Sequence, residues 1–224
     1  MIKGYFLIFT VLTFLLFSCV SANPKMVCFG DSLMAGHGAV VPKEDDKSKS
    51  VPAFLQNKIN IPVINAGVTG NTTAQGLERI KSDVLSHNPG IVIIELGAND
   101  LMQNIPLAVT RDNLQKIIDT VDNGKRKIFL VKFYTDGVAR NLIAGLFNIT
   151  DYNAQTAIIN QYDNMFNALA SSDNVELIGD IWAGVWGIHM SDNMHPNEAG
   201  YRIMADNYYE AIKPYLQANK LIFQ

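Results

Sequence analysis

Cysteine is scarce in this chain, which contains only Cys19 and Cys28 among its 224 residues. Cys28 lies in an apolar stretch with no second cysteine or histidine beside it, so we expect a buried thiol and no intramolecular disulfide. Charge is also sparse, since 17% of the residues are charged, the formal net charge is -3 and no basic run is present. The composition therefore excludes a disulfide-rich scaffold and gives no charged surface for nucleic acid.

Long hydrophobic runs are missing everywhere except at the N-terminus, where Lys3 precedes an apolar run at residues 5–17 and small residues up to Ala22. This run is shorter than the ~20 residues of a membrane-spanning helix. It is typical of a secretory signal peptide, so we expect residues 1–22 to direct export from a bacterial cell. Cleavage before Cys19 would leave a lipidated cysteine that attaches the protein to a membrane. Cleavage after Ala22 would release a periplasmic protein, and both alternatives stay open.

Residues 23–224 are expected to form one domain, because the length fits roughly 100 to 200 residues per domain and 48% of the chain is hydrophobic. Short apolar runs alternate with segments of helical period, which is typical of a parallel sheet covered by helices. The predicted strands are residues 25–30, 62–66, 91–97, 127–133 and 175–178. The predicted helices are residues 51–58, 73–85, 108–122, 152–171 and 197–217.

A serine follows the first predicted strand, in the sequence Gly30-Asp31-Ser32-Leu33. Ligands bind outside the carboxyl ends of parallel strands, so Ser32 stands where a nucleophile could act. A serine hydroxyl needs a base, usually a histidine oriented by a carboxylate, and His195 with Asp192 could supply both. Each feature also has an ordinary explanation. Ser32 could cap a helix, and Asp192 and His195 could bind a metal together with His189.

Two further loops could supply hydrogen-bond donors to a developing oxyanion. Residues 67–73 follow the second predicted strand and contain Gly70, whose backbone N–H could approach a ligand closely. Residues 97–100 follow the third strand, where the side-chain amide of Asn99 could donate. Taken singly, these loops are equally consistent with a glycine turn and an Asx turn. His37 is a rival base, but it falls in the helix or loop that follows Ser32.

Together, four segments resemble in type and order the four blocks of the SGNH (GDSL) hydrolase family: Gly-Asp-Ser-Leu, Gly-x-x-Gly-Asn-Thr-Thr, Gly-x-Asn-Asp and Asp-x-x-His. Residues 65–73, 75–80 and 94–100 are similar to the bacterial thioesterase, lysophospholipase and arylesterase group of that family. The resemblance implies a three-layer α/β/α flavodoxin-like fold with a five-stranded parallel sheet. It also implies Ser32 as nucleophile, His195 as base and Asp192 as its orienter, with an oxyanion hole from the Ser32 amide, Gly70 and Asn99.

Two departures from the family pattern bear on substrate choice. Asn71 stands where many relatives have Asp, and residues 43–49 form a charged insert that we expect to border the substrate entrance. Leu101, Met102, Ile105, Trp182 and Trp186 flank the predicted site and are either an acyl pocket or core.

The expected function is that of a serine esterase, which hydrolyses a small-molecule or lipid ester or thioester through an acyl-enzyme on Ser32. The resemblance implies no cofactor and no metal ion, and we expect a monomer. A carbohydrate O-deacetylase on the same fold is the alternative enzyme. A ligand-binding protein with an inactive site is the alternative outside catalysis. Export makes a lysophospholipid or another ester easier to reach than a cytoplasmic coenzyme A thioester.

Overall fold

The computed structural model describes residues 24–40 and 44–223. The predicted signal peptide at residues 1–22, with Cys19, lies outside the described residues, so that expectation stays a prediction. No helix within the described ranges is long and apolar enough to cross a membrane. Cys28 is a buried free thiol, as expected, and burial raises its pKa above the ordinary value.

Five strands form one sheet in the order β2-β1-β3-β4-β5, and every neighbouring pair is parallel. The strands are β1 (Met26–Gly30), β2 (Val63–Gly67), β3 (Ile91–Glu95), β4 (Lys127–Val131) and β5 (Val175–Ile178). Every residue of β1 and β3 is buried, which explains why these strands are continuously apolar rather than alternating. This order confirms the expected flavodoxin-like α/β fold.

Helices cover both faces of the sheet. They are α1 (Ser32–Ala35), α2 (Val51–Gln56), α3 (Thr73–Asp83), α4 (Ala98–Met102), α5 (Leu107–Val121), α6 (Asp136–Phe147), α7 (Tyr152–Leu169) and α8 (Glu198–Ala218). On one face α2 packs on α8, and on the other α3 packs on α5, which contacts α7. The strand order explains why helices lie on both faces of the sheet. Connections between parallel strands are right-handed, and the chain moves to one side of β1 to form β2 and then to the other side to form β3, so the connecting helices fall on opposite faces. The result is a three-layer structure.

The sequence-based prediction missed α6 and the short helices α1 and α4. Helix α6 contains Gly137 and Gly145, which weaken intrinsic helix propensity. Its Val138 and Ile143 are buried, so tertiary packing stabilises the helix despite its composition. The third and fourth strands also end two residues earlier than predicted, and after the third strand the chain at Gly97 already adopts φ 115° to enter α4.

The order of the strands positions the functional loops. From β1 the chain passes to β2 on one side, whereas β3 lies on the other side of β1. The loops that follow β1 and β3 therefore diverge and leave a crevice at the carboxyl edge of the sheet. The loops after β2 and β5 reach the same edge, so all four sequence motifs converge there.

Candidate active site

His195 lies between Ser32 and Asp192 and contacts both. Its Nε2 is 3.0 Å from Ser32 Oγ, and its Nδ1 is 3.0 Å from Asp192 Oδ2 and 3.2 Å from Asp192 Oδ1. The three side chains come from opposite ends of the chain, yet they form one hydrogen-bonded line. In such a line the histidine can accept the serine proton while the carboxylate holds the far side of its ring.

The turn that carries Asp192 and His195 is closed by its own backbone. Ser191 N donates to His195 O at 2.8 Å, and Asp192 Oδ1 accepts from the amides of Met194 and His195 at 2.7 Å each. Asn197 then caps α8 by accepting from Gly200 N at 3.0 Å. The turn is thereby fixed to a 21-residue helix that packs on the sheet.

Asp192 remains ionised over a wide pH range. Burial pushes its pKa upward, but the hydrogen bonds from the His195 ring and from the amides of Met194 and His195 outweigh this and hold the pKa well below its usual range. A permanent negative charge beside Nδ1 favours the tautomer whose Nε2 can accept the serine proton.

The serine turn packs directly against the histidine turn. Ser32 is the first residue of α1, and Asp31 caps that helix by accepting from Leu33 N at 3.2 Å. Gly38, a few residues further on, has φ +79°, and a Cβ there would lie 2.3 Å from Ser191 Oγ and 3.2 Å from His195 Cβ. Only glycine fits this contact, so the two turns approach as closely as their backbones allow.

The two loops predicted to supply oxyanion donors meet beside Ser32. Asn99, in α4, donates its side-chain amide to Asp31 Oδ2 at 2.9 Å and to Asn71 O at 3.0 Å, so both amide hydrogens have acceptors. Gly70 has φ +81° and open space where a side chain would lie. The geometry therefore leaves room for a substrate oxygen at Gly70, while Asn99 ties three loops together.

Arg79, in α3, is a structural centre of the site to which the sequence analysis gave no role. Its guanidinium donates to Gly30 O and to Ala66 O at 2.8 Å each, and to Asn71 Oδ1 at 2.6 Å. It also stacks over the Phe29 ring, 4.2 Å from the ring centroid. One side chain thus holds the carboxyl ends of β1 and β2 against the loop that carries Gly70. The available signal was its position two turns after the start of a helix, where a long side chain leans back towards the N-terminus.

Asp100, the last residue of the Gly-x-Asn-Asp motif, fixes the beginning of α3. It is fully buried and accepts from Thr73 N at 2.8 Å and from Thr73 Oγ1 at 2.5 Å. A carboxylate at the first turn of a helix is favoured by the helix dipole. The loop between β2 and α3 is consequently held from its far end as well as by Arg79.

His37 does not compete with His195 for Ser32. Its Nδ1 lies 2.8 Å from Asp45 Oδ1, and its ring stands nearly edge-on to the His195 ring with the centroids 4.6 Å apart. Asp45, from the charged insert, also accepts from Thr69 Oγ1 at 2.6 Å. His37 therefore packs beside the histidine of the site, and the insert connects it to the loop of Gly70.

An apolar pocket opens beside Ser32. Its walls include Met102, Phe133, Leu142, Trp182 and Trp186, and its volume is about 40 Å³. Trp182 Nε1 donates to Phe133 O at 2.8 Å and its ring meets that of Trp186 edge-on, which fixes both indoles. Trp182, Trp186 and Met102 thus belong to the pocket.

Leu101 instead belongs to the buried core and faces a separate small cavity against Tyr134 and Ile143. A wider groove of about 610 Å³ adjoins the pocket and shares Leu142, Trp186 and Met194 with it. These three side chains therefore form the boundary between the tight space at Ser32 and the open groove.

Within residues 24–40 and 44–223, no group of three or more His, Cys, Asp or Glu side chains is placed to hold a metal ion. The alternative ligand set of His189, Asp192 and His195 is therefore not assembled. The fold and the Ser32–His195–Asp192 arrangement instead define a serine hydrolase built on a parallel α/β sheet. The chain belongs to the GDSL-like lipase/acylhydrolase family, whose pattern it matches over residues 28–203, and this confirms the family expected from the four motifs.

Proteins similar to the chain include two named as esterases. It is 36% identical to the arylesterase of Vibrio mimicus over 126 residues, which are 54% of this chain and 62% of that protein. It is 26% identical to esterase TesA of Pseudomonas aeruginosa over 204 residues, which are 88% of this chain and 91% of TesA. The crystal structure of the psychrotrophic esterase EstA from Pseudoalteromonas sp. shares the fold, with a TM-score of 0.68, 20% identity and coverage of 87% of this chain and 100% of that one. The match to the arylesterase thus spans less than two thirds of that relative.

Proposed function

We propose that the protein is a serine esterase that hydrolyses carboxylic ester or thioester bonds of small-molecule or lipid substrates. The observation that carries the proposal is the line from Ser32 Oγ through the His195 ring to the Asp192 carboxylate. His195 Nε2 takes the serine proton as Oγ attacks the carbonyl carbon, and the same proton then passes to the leaving group. A water that gives its proton to His195 next cleaves the acyl-enzyme and restores Ser32.

The oxyanion of each tetrahedral intermediate is bound by the Ser32 amide at the start of α1, by Gly70 N–H and by the Asn99 side chain. Gly70 has no side chain, and nothing lies within 4 Å of the position that a Cβ would take there, so a ligand can come close to its backbone. Asn99 contributes by sharing with the oxyanion one of the hydrogens that it directs to Asp31 and Asn71. Loss of one such donor typically costs about 3 to 4 kcal/mol of transition-state stabilisation.

The apolar lining of the pocket supports the proposal that the part of the substrate beside Ser32 is an apolar acyl group. The small volume of the pocket favours short acyl chains. Leu142, Trp186 and Met194 form the boundary between this pocket and the wider groove. A longer acyl chain would have to pass these side chains into the groove. The alternative activity, deacetylation of a carbohydrate, would accept acetate alone and place a sugar in the groove.

The test is hydrolysis of p-nitrophenyl acetate, butyrate, octanoate and palmitate by the purified protein and by Ser32→Ala. We expect the variant to lose at least about 10³-fold in kcat, because no other group replaces the nucleophile. Ser171→Ala, at an exposed serine, is the matched control and should keep full activity. Equal rates for Ser32→Ala and the unchanged protein would contradict the proposal. Activity confined to acetate would favour the deacetylase.

We further propose that the chain is exported and that Cys19 carries a lipid, on the strength of the leader-like sequence at residues 1–22. Expressed in a bacterial host, the protein should then be found in the membrane fraction, and Cys19→Ala should move it to the periplasmic fraction. Recovery of the unchanged protein in the periplasm, with a mass that fits cleavage after Ala22, would contradict lipidation and leave export intact.

A further inference from the structure

Glu95 ends β3 in a position that polar side chains rarely occupy. It is 0% exposed, and it pairs in register with Gly30 of β1, the residue before Asp31. A Cβ built on Gly30 would lie 2.9 Å from Glu95 Oε2, so the Glu95 carboxyl fills the space that the glycine leaves. The carboxyl group therefore lies directly beneath the turn that carries Ser32.

Both oxygens of the Glu95 side chain lack a hydrogen-bond donor among the described residues. The neighbouring group is the carboxyl of Asp31, itself 1% exposed. Two carboxylates offer only acceptors, so this pair forms a hydrogen bond only when one of the two carries a proton. A shared proton is thus the simplest way to satisfy the buried oxygens of Glu95.

The proton resides on Glu95 near neutral pH. Burial, and then the negative charge of Asp31, raise the pKa of Glu95 well above its ordinary value. Burial raises the pKa of Asp31 only to about 6, because hydrogen bonds from Leu33 N, from the Glu95 carboxyl and from the Asn99 amide lower it. The pair therefore carries one proton and one negative charge.

The other titratable groups around the pair leave this assignment in place. Tyr201 and Tyr208 face it from α8 and Cys28 from β1, and burial raises the pKa of all three so that they stay neutral. Arg79, from α3, is the cation whose charge acts on Asp31. A positive charge near Asp31 favours its ionised form, which keeps the proton on Glu95.

Asp31 connects the two halves of the site. Its Oδ1 accepts from Leu33 N at 3.2 Å in the serine turn, and its Oδ2 accepts from Asn99 Nδ2 at 2.9 Å in the loop after β3. The orientation of this carboxylate consequently sets the position of the Ser32 turn relative to the Asn99 amide.

We propose that Glu95 is a positioning residue, which as a neutral acid donates a hydrogen bond to Asp31 and thereby fixes the carboxylate that holds Ser32 and Asn99 together. The kinetic consequence rests on the proposed esterase function. The protonation itself does not depend on that function.

Two variants separate a hydrogen-bond donor from a space-filling side chain. Glu95→Gln keeps an N–H that can donate to Asp31, whereas Glu95→Leu has a similar volume and no donor. We expect Glu95→Gln to keep kcat within about threefold and Glu95→Leu to lower kcat about 30-fold with little change in KM, because a buried charged acceptor loses its donor. Glu78→Gln removes an exposed carboxyl from α3 and should leave both constants unchanged.

The pH dependence distinguishes this role from simple packing. The kcat of the unchanged protein should fall reversibly at alkaline pH, when Glu95 loses its proton opposite Asp31, and Glu95→Gln should lack this fall. A raised pKa in the folded state also means that Glu95 costs stability as pH rises above its unfolded value of about 4.3. Glu95→Gln should therefore melt about 10 °C higher than the unchanged protein at pH 8 and show no gain at pH 4.

The proposal is overturned if Glu95→Gln loses kcat as severely as Glu95→Leu, or if it keeps the same alkaline fall as the unchanged protein. Should Glu95→Leu fail to fold, the pH profile of Glu95→Gln decides. If the unchanged protein hydrolyses no ester, the esterase proposal fails, and the melting comparison still tests whether Glu95 is protonated: the same melting-temperature difference at pH 4 and pH 8 would overturn it.

Discussion

Two regions that flank Ser32 contain carboxyl groups withdrawn from solvent, and they affect those groups in opposite directions. In the turn after β5, Asp192 receives hydrogen bonds from two backbone amides and from His195, and its pKa lies well below the usual range. Beneath the serine turn, Asp31 and Glu95 are almost fully buried, and their pKa values rise even though Leu33 N and the Asn99 amide donate to Asp31. The comparison shows that hydrogen-bond donors hold down the pKa of a carboxyl group beside this site where its burial is partial, as at Asp192, and do not do so where burial is almost complete, as at Asp31.

The largest effect is expected at Asp192, whose negative charge is needed to orient His195. Asp192→Asn should lower kcat by about 10³- to 10⁴-fold, because an amide cannot hold the His195 ring in the tautomer that accepts the serine proton. Ester hydrolysis measures this, with Asp180→Asn at an exposed position as the matched control. A loss of less than tenfold would contradict this expectation. It would show that the negative charge of Asp192 contributes no more to kcat than a neutral carboxyl group would.

The next largest effect concerns the stability of the protein, and it involves Asp31 in the region beneath the serine turn. Because burial places the folded-state pKa of Asp31 at about 6, the folded protein binds more protons than the unfolded chain between about pH 4 and pH 6, so stability is lost as pH rises through this window. The free energy of unfolding of Asp31→Asn, relative to the unchanged protein, should rise by about 2 to 3 kcal/mol from pH 4 to pH 7. Urea unfolding at several pH values measures it. A difference that is constant with pH would show that Asp31 is not strained by burial.

A smaller effect should follow from loosening Arg79, which supports the serine turn and the loop of Gly70. Arg79→Lys should lower kcat about tenfold, because an ammonium group cannot bond Gly30 O, Ala66 O and Asn71 Oδ1 together as the planar guanidinium does. Arg111→Lys changes an arginine on the exposed face of α5 and should have no effect. Unchanged kinetics for Arg79→Lys would mean that the backbone alone holds the loop of Gly70.

The smallest effect should come from an exposed carboxyl group at the rim of the site. Asp45, with 40% of its side chain exposed, bonds His37 and Thr69 at the rim of the site. Asp45→Asn should lower kcat/KM about threefold, the scale of an exposed ion pair. Asp112→Asn is the control, and Thr69→Val combined with Asp45→Asn should cost less than the sum of the two changes if they act through one contact. Strict additivity would indicate separate roles.

Much of the fold could be predicted because β1, β3 and β4 are continuous apolar runs that end in glycine or polar turns. Helix α6 could not be predicted, because its glycines weaken the local helix propensity. The helix is stabilised by its packing against α7 and against the other side chains around the pocket. This failure matters for function, because α6 contributes Val138 and Leu142 to the pocket. One wall of the pocket is thus built from a helix that has little local signal in the sequence.

The predicted site residues fall together because motifs at the ends of parallel strands must meet at one edge. Ser32, Asp192, His195, Gly70 and Asn99 were all identified from spacing and family resemblance. The side chains beneath them were not, because Arg79 and Glu95 act through long-range contacts with Gly30 and Asp31. A sequence displays which residues follow a strand, but not which side chain fills the space left by a glycine on the neighbouring strand.

The direction of β1 has a practical consequence for attaching the protein to another molecule or to a surface. Pro24 and Leu221, close to the two limits of the described chain, line the same groove at the amino ends of the strands, and Asn60 N donates to Leu221 O there at 3.1 Å. Ser32 lies at the far ends of those strands, with the five residues of β1, about 16 Å, between the two edges. A tether, fusion partner or solid support joined at either limit would therefore leave the mouth of the pocket facing away from it and open to arriving molecules.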